Sequence, residues 1–314
     1  MLKIYRLRDG KMEFLKKPMK NCWIELREPT EEELDFLAPY IEITREVVDS
    51  VKDKEEVPKL EVMDDYNFLL LQTPISVQGD EFRYRTVPLG IIYNSNYMVT
   101  LVDGRNDVLD YLKTKLLNLS RNNIVTTDRF PQFILKLMLF NSKLYLRALK
   151  ALTNAFKKNE DQIALNPTNE DIASMMDYEK SMSYFNVYLQ SNHLVYQKIT
   201  KKAQFTAKED DSDLCEDILD ENLQAVEAVK IHGKILHSTI SSFNSIISNK
   251  LNESVKFLTT FSIVLMMPTL VASVYGMNVP LPLQEDVHAF LLIIGVSFML
   301  TLGLVMFFFR KKLF

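Results

Sequence analysis

Glycine is scarce in this chain of 314 residues: there are eight, and none lies between Arg105 and His232. Proline is missing from Thr168 to Met267. Without the two usual interruptions, that middle region predicts long helices. The two cysteines, Cys22 and Cys215, are far apart and match no disulfide or metal spacing, which suits a reducing cytosol. Only four histidines occur, His193, His232, His237 and His288. None has metal-binding spacing, and His232 and His237, five apart, diverge on a helix. Glycine-rich nucleotide loops, the phosphate-binding loop and His-Glu-x-x-His are all missing, so an enzyme has no footing. With a net charge of −4, nothing suggests a nucleic-acid surface.

Formal charge is missing twice more. Phe257 to Tyr275 carries none, and nineteen residues at ~1.5 Å each cover roughly the 30 Å of a bilayer core. Ala289 to Phe309 is likewise uncharged and is closed by Arg310, Lys311 and Lys312. Two transmembrane helices are expected, 257–277 and 289–309. Basic residues lie at Lys250, Lys256 and after the second span, while the loop from Asn278 to His288 has no Lys or Arg. Both termini are therefore expected in the cytoplasm. The N-terminus offers no apolar run of signal-peptide length.

Upstream, strand signals run over Leu2–Leu7, Lys11–Leu15, Cys22–Leu26, Lys59–Met63, Tyr66–Thr73, Phe82–Tyr93 and Tyr97–Val102, with turns at Gly79-Asp80 and Asn94-Ser95-Asn96. Thr30 to Glu33 is a capping box. Helix starts are marked by Asp128 with Pro131, by Thr168 with Asp171, and near Asp211 to Asp213, and the first of these helices should end near Asn166-Pro167. From the last start, an apolar stripe of Leu219, Leu223, Val226, Val229, Gly233, Leu236, Ile240, Phe243, Ile247, Leu251, Val255 and Leu258 reaches the first span without a breaker. One helix of about sixty residues, roughly 90 Å, is the reading. The organisation predicted is an α+β cytosolic domain with a mixed sheet and flanking helices (1–125), a helical hairpin (126–208), a stalk (209–256) and a two-helix membrane region (257–314).

On the first span Asn252, Val255, Leu258, Ser262, Met266, Thr269, Ser273 and Gly276 share one face, mixing small or hydroxyl-bearing residues with apolar ones. Taken alone, that face fits helix packing by small residues better than a pore. Two uncharged spans cannot form a polar pathway by themselves, so an ion path would need several copies around one axis. Asp210, Asp211, Asp213, Glu216, Asp217, Asp220 and Glu221 open the stalk. They fit a solvated helix N-terminus, or an acidic collar bridged by divalent ions once copies converge.

The tetrapeptide Tyr275-Gly276-Met277-Asn278 closing a penultimate helix, the short outer loop, the last helix and the basic tail resemble the CorA family of divalent-cation transporters. The resemblance extends back through Pro268-Thr269-Leu270, Lys256-Phe257-Leu258-Thr259 and Ser248 to Glu253. It implies a homopentamer in the plasma membrane whose first span lines the pore, carrying Mg²⁺ and also Co²⁺, Ni²⁺ or Zn²⁺. Asn278 would form the outer entrance with Tyr275, Gly276 and Met277. Asn252 would form an inner polar ring, Thr269 a mid-pore hydroxyl ring, and Met266 with Leu258 a hydrophobic constriction. Cytosolic Mg²⁺ between subunits would hold the pore closed, Asp217 standing at the stalk's sensing position, with Asp213 and Asp220 as substitutes on its face. Its partner position, ahead of Pro58-Lys59-Leu60-Glu61, reads Asp49-Ser50 where the family has two acids. The loop after Asn278 departs as well, leaving ion attraction to Glu285 and Asp286. Two rival readings are a zinc transporter of the ZntB kind and a membrane-anchored adaptor that transports nothing.

Overall fold

The computed structural model describes residues 1–8, 11–77, 84–118, 127–163, 167–279, 282 and 288–311. The turn expected at Gly79-Asp80, the first residues of the Phe82–Tyr93 strand, Asn166, Glu285, Asp286 and Lys312 lie outside them. The chain forms two compact units, Met1–Ile240 and Ser241–Phe314.

The first unit is built on a seven-stranded sheet: β1 (Leu2–Arg8), β2 (Lys11–Phe14), β3 (Cys22–Arg27), β4 (Lys59–Val62), β5 (Asn67–Ser76), β6 (Tyr84–Tyr93) and β7 (Tyr97–Val102), in the order β2-β1-β3-β7-β6-β5-β4. The sheet is mixed. β3 and β7 run parallel, Ile24 opposite Val99, and every other pairing is antiparallel. Side chains alternate between two apolar cores, as the period of two requires. Ile24, Phe68, Leu70, Ile92 and Leu101 face one side, under α1 (Glu31–Leu37) and α2 (Arg45–Lys52). Trp23, Leu69, Leu71, Ile91 and Met98 face the other, under α3 (Asp107–Asn118), α4 (Phe130–Ile163), α5 (Asn169–Thr200) and the start of α6 (Glu209–Tyr275). The strand predictions agree with the structure to within one to three residues at most of their ends.

Local chemistry sets the helix starts. Thr30 and Thr168 each close a capping box, accepting from the N–H of Glu33 and Asp171. Neither α2 nor α3 is marked in the sequence. The Val47, Val48 and Val51 that α2 buries favour strand by composition. Gly90 of β6 makes room for that helix: a Cβ there would lie 2.7 Å from the Val51 Cγ2.

Where β4 ends, the sheet edge is completed by side chains. The Gln72 N–H of β5 donates to Asn192 Oδ1, and the Gln72 carbonyl accepts from Asn192 Nδ2, Asn141 Nδ2 and the Tyr145 hydroxyl. Asn192 thus replaces a neighbouring strand, and unbonded backbone at this buried edge would be costly. The Gln72 side chain reaches back to the carbonyls of Lys54 and Glu56, holding the segment after α2.

The long helix is continuous. α6 runs 67 residues, with Gly233 in open space and Pro268 inside it. α7 (Ala289–Arg310) follows.

Candidate functional site

In the second unit, the end of α6 and α7 pair through a narrow strip. Thr260 is 5% exposed and Val264, Met267 and Val271 are half-buried, while the rest of α6 beyond Ser241 is largely exposed. Spacings of four, three and four put these on one helix face. Beside the strip lies an apolar groove of about 570 Å³ between Pro268, Ala272 and Tyr275 on α6 and Phe290, Ile294 and Phe298 on α7. Pro268 has no N–H, so α6 loses the helical bond to the Val264 carbonyl there.

With about 100° of turn per residue, the positions from Asn252 to Gly276 expected on the pore face fall within an arc of about 120° opposite Thr260. The structure leaves that whole face uncovered: Leu258 is 64% and Met266 67% exposed, and Asn252, Val255, Ser262, Thr269 and Ser273 are exposed as well. Its hydroxyls are committed in one direction. Ser262 Oγ donates to the Leu258 carbonyl at 2.8 Å and Thr269 Oγ1 to the Leu265 carbonyl at 3.1 Å. With the proton turned back into the helix, each oxygen offers its lone pairs outward as an acceptor.

The helix unwinds where the motif begins. Gly276 N–H still donates to the Ala272 carbonyl at 2.9 Å, but Met277 N–H closes the shorter turn onto Val274 at 3.3 Å. Asn278 follows as an exposed residue beyond the last helical turn. A Cβ on residue 276 would approach the Ala272 carbonyl to 3.3 Å. That suits glycine at the exit.

The residues expected to sense metal lie in the first unit. Asp49 is exposed on α2, and Asp213, Asp217 and Asp220 are exposed along one face of α6. Among the described residues of one chain, no three Asp, Glu, His or Cys side chains form a group able to hold a metal. Ser50, at the position lacking an acid, accepts from Lys59 Nζ at 3.3 Å, and Lys59 also pairs with Glu56 at 3.1 Å and Glu61 at 3.2 Å. Asp211 stands apart from its neighbours. It is buried in an ion pair with Arg129, near Lys136 and Gln132, so it anchors the stalk to α4. Burial and Asp211 raise the nearby Cys215 thiol to about 11, leaving it unreactive.

Sequence reasoning did not find the α7-packing strip, the Lys59–Ser50 contact or the Arg129–Asp211 anchor. Apolar residues on every side of the span hide the strip, and the other two join residues distant in sequence.

α6 and α7 are long and apolar enough to cross a membrane. The family described as CorA-like Mg²⁺ transporter protein matches residues 19–312. The chain belongs to the CorA family. Its curated CorA relatives include the cobalt/magnesium transport protein CorA of Methanocaldococcus jannaschii, 23% identical over 92% of this chain and 90% of that one. The protein of the same name from Thermotoga maritima is 18% identical over 85% and 75%. The complete CorA magnesium transporter structure from M. jannaschii superimposes with a TM-score of 0.81, covering 99% of this chain and 98% of that one at 20% identity. The CorA fold, with its mixed-sheet domain, long helix and apolar C-terminal helix, is therefore this chain's fold.

Proposed function

We propose that the chain is a channel-like Mg²⁺ transporter, also passing Co²⁺, assembled as a homopentamer in the plasma membrane with both termini in the cytoplasm. The observation that carries this reading is the uncovered face of α6. In a family member with two membrane-crossing helices, α7 occupies one side of α6 and leaves the acceptor-bearing side, ending at Gly276 and Asn278, for other copies and a shared axis.

Residues 257–277 and 289–309 span the bilayer, and 1–256 stand in the cytosol. Mg²⁺ releases its waters reluctantly, so five Asn278 amides hold the hydrated ion through its shell, where a carboxylate ring would retain it. Glu285 and Asp286 raise cation concentration at the mouth. Inside, the Thr269, Ser262 and Ser273 oxygens accept hydrogen bonds from the ion's water, and Asn252 receives it at the cytosolic end. A negative-inside potential of 100 mV supplies about 4.6 kcal/mol for two charges. The constriction at Met266 and Leu258 dewets and stops a hydrated ion when the pore narrows.

Cytosolic Mg²⁺ bound between neighbouring copies by Asp49, Asp217, Asp213 and Asp220 keeps the pore narrow. With Ser50 at the second acid's position, this site carries one acid fewer than the family's pattern, and Ser50 is taken up by the Lys59 ammonium. Its Mg²⁺ affinity is correspondingly low.

In proteoliposomes with a negative interior, the wild type passes Mg²⁺ and Co²⁺, and Asn278→Ala reduces Mg²⁺ flux at least tenfold. Wild-type flux from Asn278→Ala removes the entrance assignment. Selective Zn²⁺ passage makes the protein a zinc transporter, and no divalent flux makes it an adaptor.

A further inference from the structure

Sharing no residue with the proposed ion path or the stalk acids, the first unit has a cavity of about 570 Å³ between the segment after α2, the start of β6 and α5. That size suits a small organic ligand. Three cations border it. Among the described residues, neither the Lys54 nor the Arg85 side chain has an ion-pair partner, and Lys180 meets Asp177 only at 3.9 Å while 71% exposed. Lys54 and Arg85 stand at the cavity's rim, where an anion could pair with them at small desolvation cost.

The wall between them is aromatic. Tyr184 is 46% exposed, a large ring partly open to solvent, and Tyr188 beside it is buried. Burial, then Glu55 and Tyr184, raise the Tyr188 phenol above its ordinary range, so Glu55 and both rings face one space. Tyr84 sets its ring edge-on to Phe185 at 6.0 Å. The floor is preformed: Ser181 Oγ accepts from the Tyr84 N–H at 3.3 Å and donates to the Tyr84 carbonyl at 3.1 Å, pinning β6 to α5. The Lys54 and Glu56 carbonyls are held by Gln72, which fixes the opposite wall.

Acids near this space are Glu55 and Asp177 in the lining, with Asp53 near Tyr188 and Asp107 near Tyr84. A bare inorganic anion gains little from such a mixed field. A ligand with a phosphate at one end and an aromatic base with hydroxyls at the other uses every group. We propose that this cavity binds a nucleoside phosphate: Arg85, Lys54 and Lys180 take the phosphates, Tyr184 and Tyr188 stack the base, and Glu55 accepts from sugar hydroxyls or an exocyclic amine. Carboxylates commonly take ribose hydroxyls in nucleotide sites.

The test is calorimetric titration of the full chain in detergent with ATP, AMP and inorganic phosphate. ATP and AMP bind one per chain, and inorganic phosphate binds at least tenfold more weakly. Arg85→Glu weakens both nucleotides at least tenfold, and Tyr184→Ala weakens them without altering phosphate. Both side chains are exposed, and an unchanged melting temperature shows that each variant is folded. Absence of nucleotide binding, equal binding of phosphate and AMP, or wild-type affinity in both variants overturns the proposal. None of these readouts depends on ion flux, so failure here leaves the transport reading standing, and the converse.

Discussion

Glu25, 1% exposed in β3, shows how single residues hold the first unit together. Its carboxylate meets Lys113 Nζ at 2.7 and 3.0 Å, Arg27 Nε at 2.6 Å and the Tyr5 hydroxyl at 3.1 Å. Burial alone would raise its pKa, but the hydrogen bonds and charges of Lys113 and Arg27 outweigh burial and hold it below the ordinary value. The group is therefore harder to protonate folded than unfolded. Its stabilisation is complete above about pH 4.3, the unfolded value, and is lost as pH falls through the depressed folded value. Removing a partner leaves the buried charge poorly compensated. Lys113→Met should cost about 3 kcal/mol in denaturant unfolding near pH 7, and the loss should shrink as the pH drops below about 4. A pH-independent loss would show that packing, not charge, explains it.

Among the elements, α6 has the most divided duties, and its sequence shows this unevenly. Its continuity was legible, because 67 residues contain only Gly233 and Pro268 as possible interruptions and neither breaks the helix. Its burial was legible at Val226, Val229 and Leu236, which are buried in the first unit, but not at Leu223, which is 45% exposed. The stripe still reports burial at Phe243, but further on it ceases to: Leu251, Val255 and Leu258 are more than half exposed, and the buried residue is Thr260, outside the stripe. In a lipid-facing helix the polar-to-apolar contrast that marks a buried face in water disappears. The sequence therefore suggested a candidate pore face, and the structure supplied the strip opposite it. A constriction at Met266 makes a specific demand. Met266→Ser should wet it, raising Mg²⁺ flux several-fold at high internal Mg²⁺, where the proposed gating closes the wild type. Unchanged flux would move the constriction elsewhere.

For the whole molecule, the sheet was legible because strands of alternating or continuous apolar residues are bounded by turn residues, and the family resemblance rested on Tyr275 to Asn278. Interactions between copies were not. Asp49 on α2 and Asp213, Asp217 and Asp220 on α6 are exposed, and among the described residues of one chain they form no metal group, so their proposed role needs a neighbour. Gating by cytosolic Mg²⁺ through them predicts that Mg²⁺ protects the cytosolic part from limited proteolysis and that Asp217→Ala shifts protection to at least threefold higher Mg²⁺. An unshifted curve would remove Asp217 from the sensor.

Transport through the proposed pore depends most on which side of α6 meets water. Both native cysteines are buried, which favours single-cysteine chemistry with a membrane-impermeant thiol reagent during Mg²⁺ flux. Cysteine at Ser262, Met266 or Thr269 should let the reagent block flux, with Val264→Cys unaffected. Block at Val264→Cys with none at the other three would place the water-filled path on the α7 side and contradict the account.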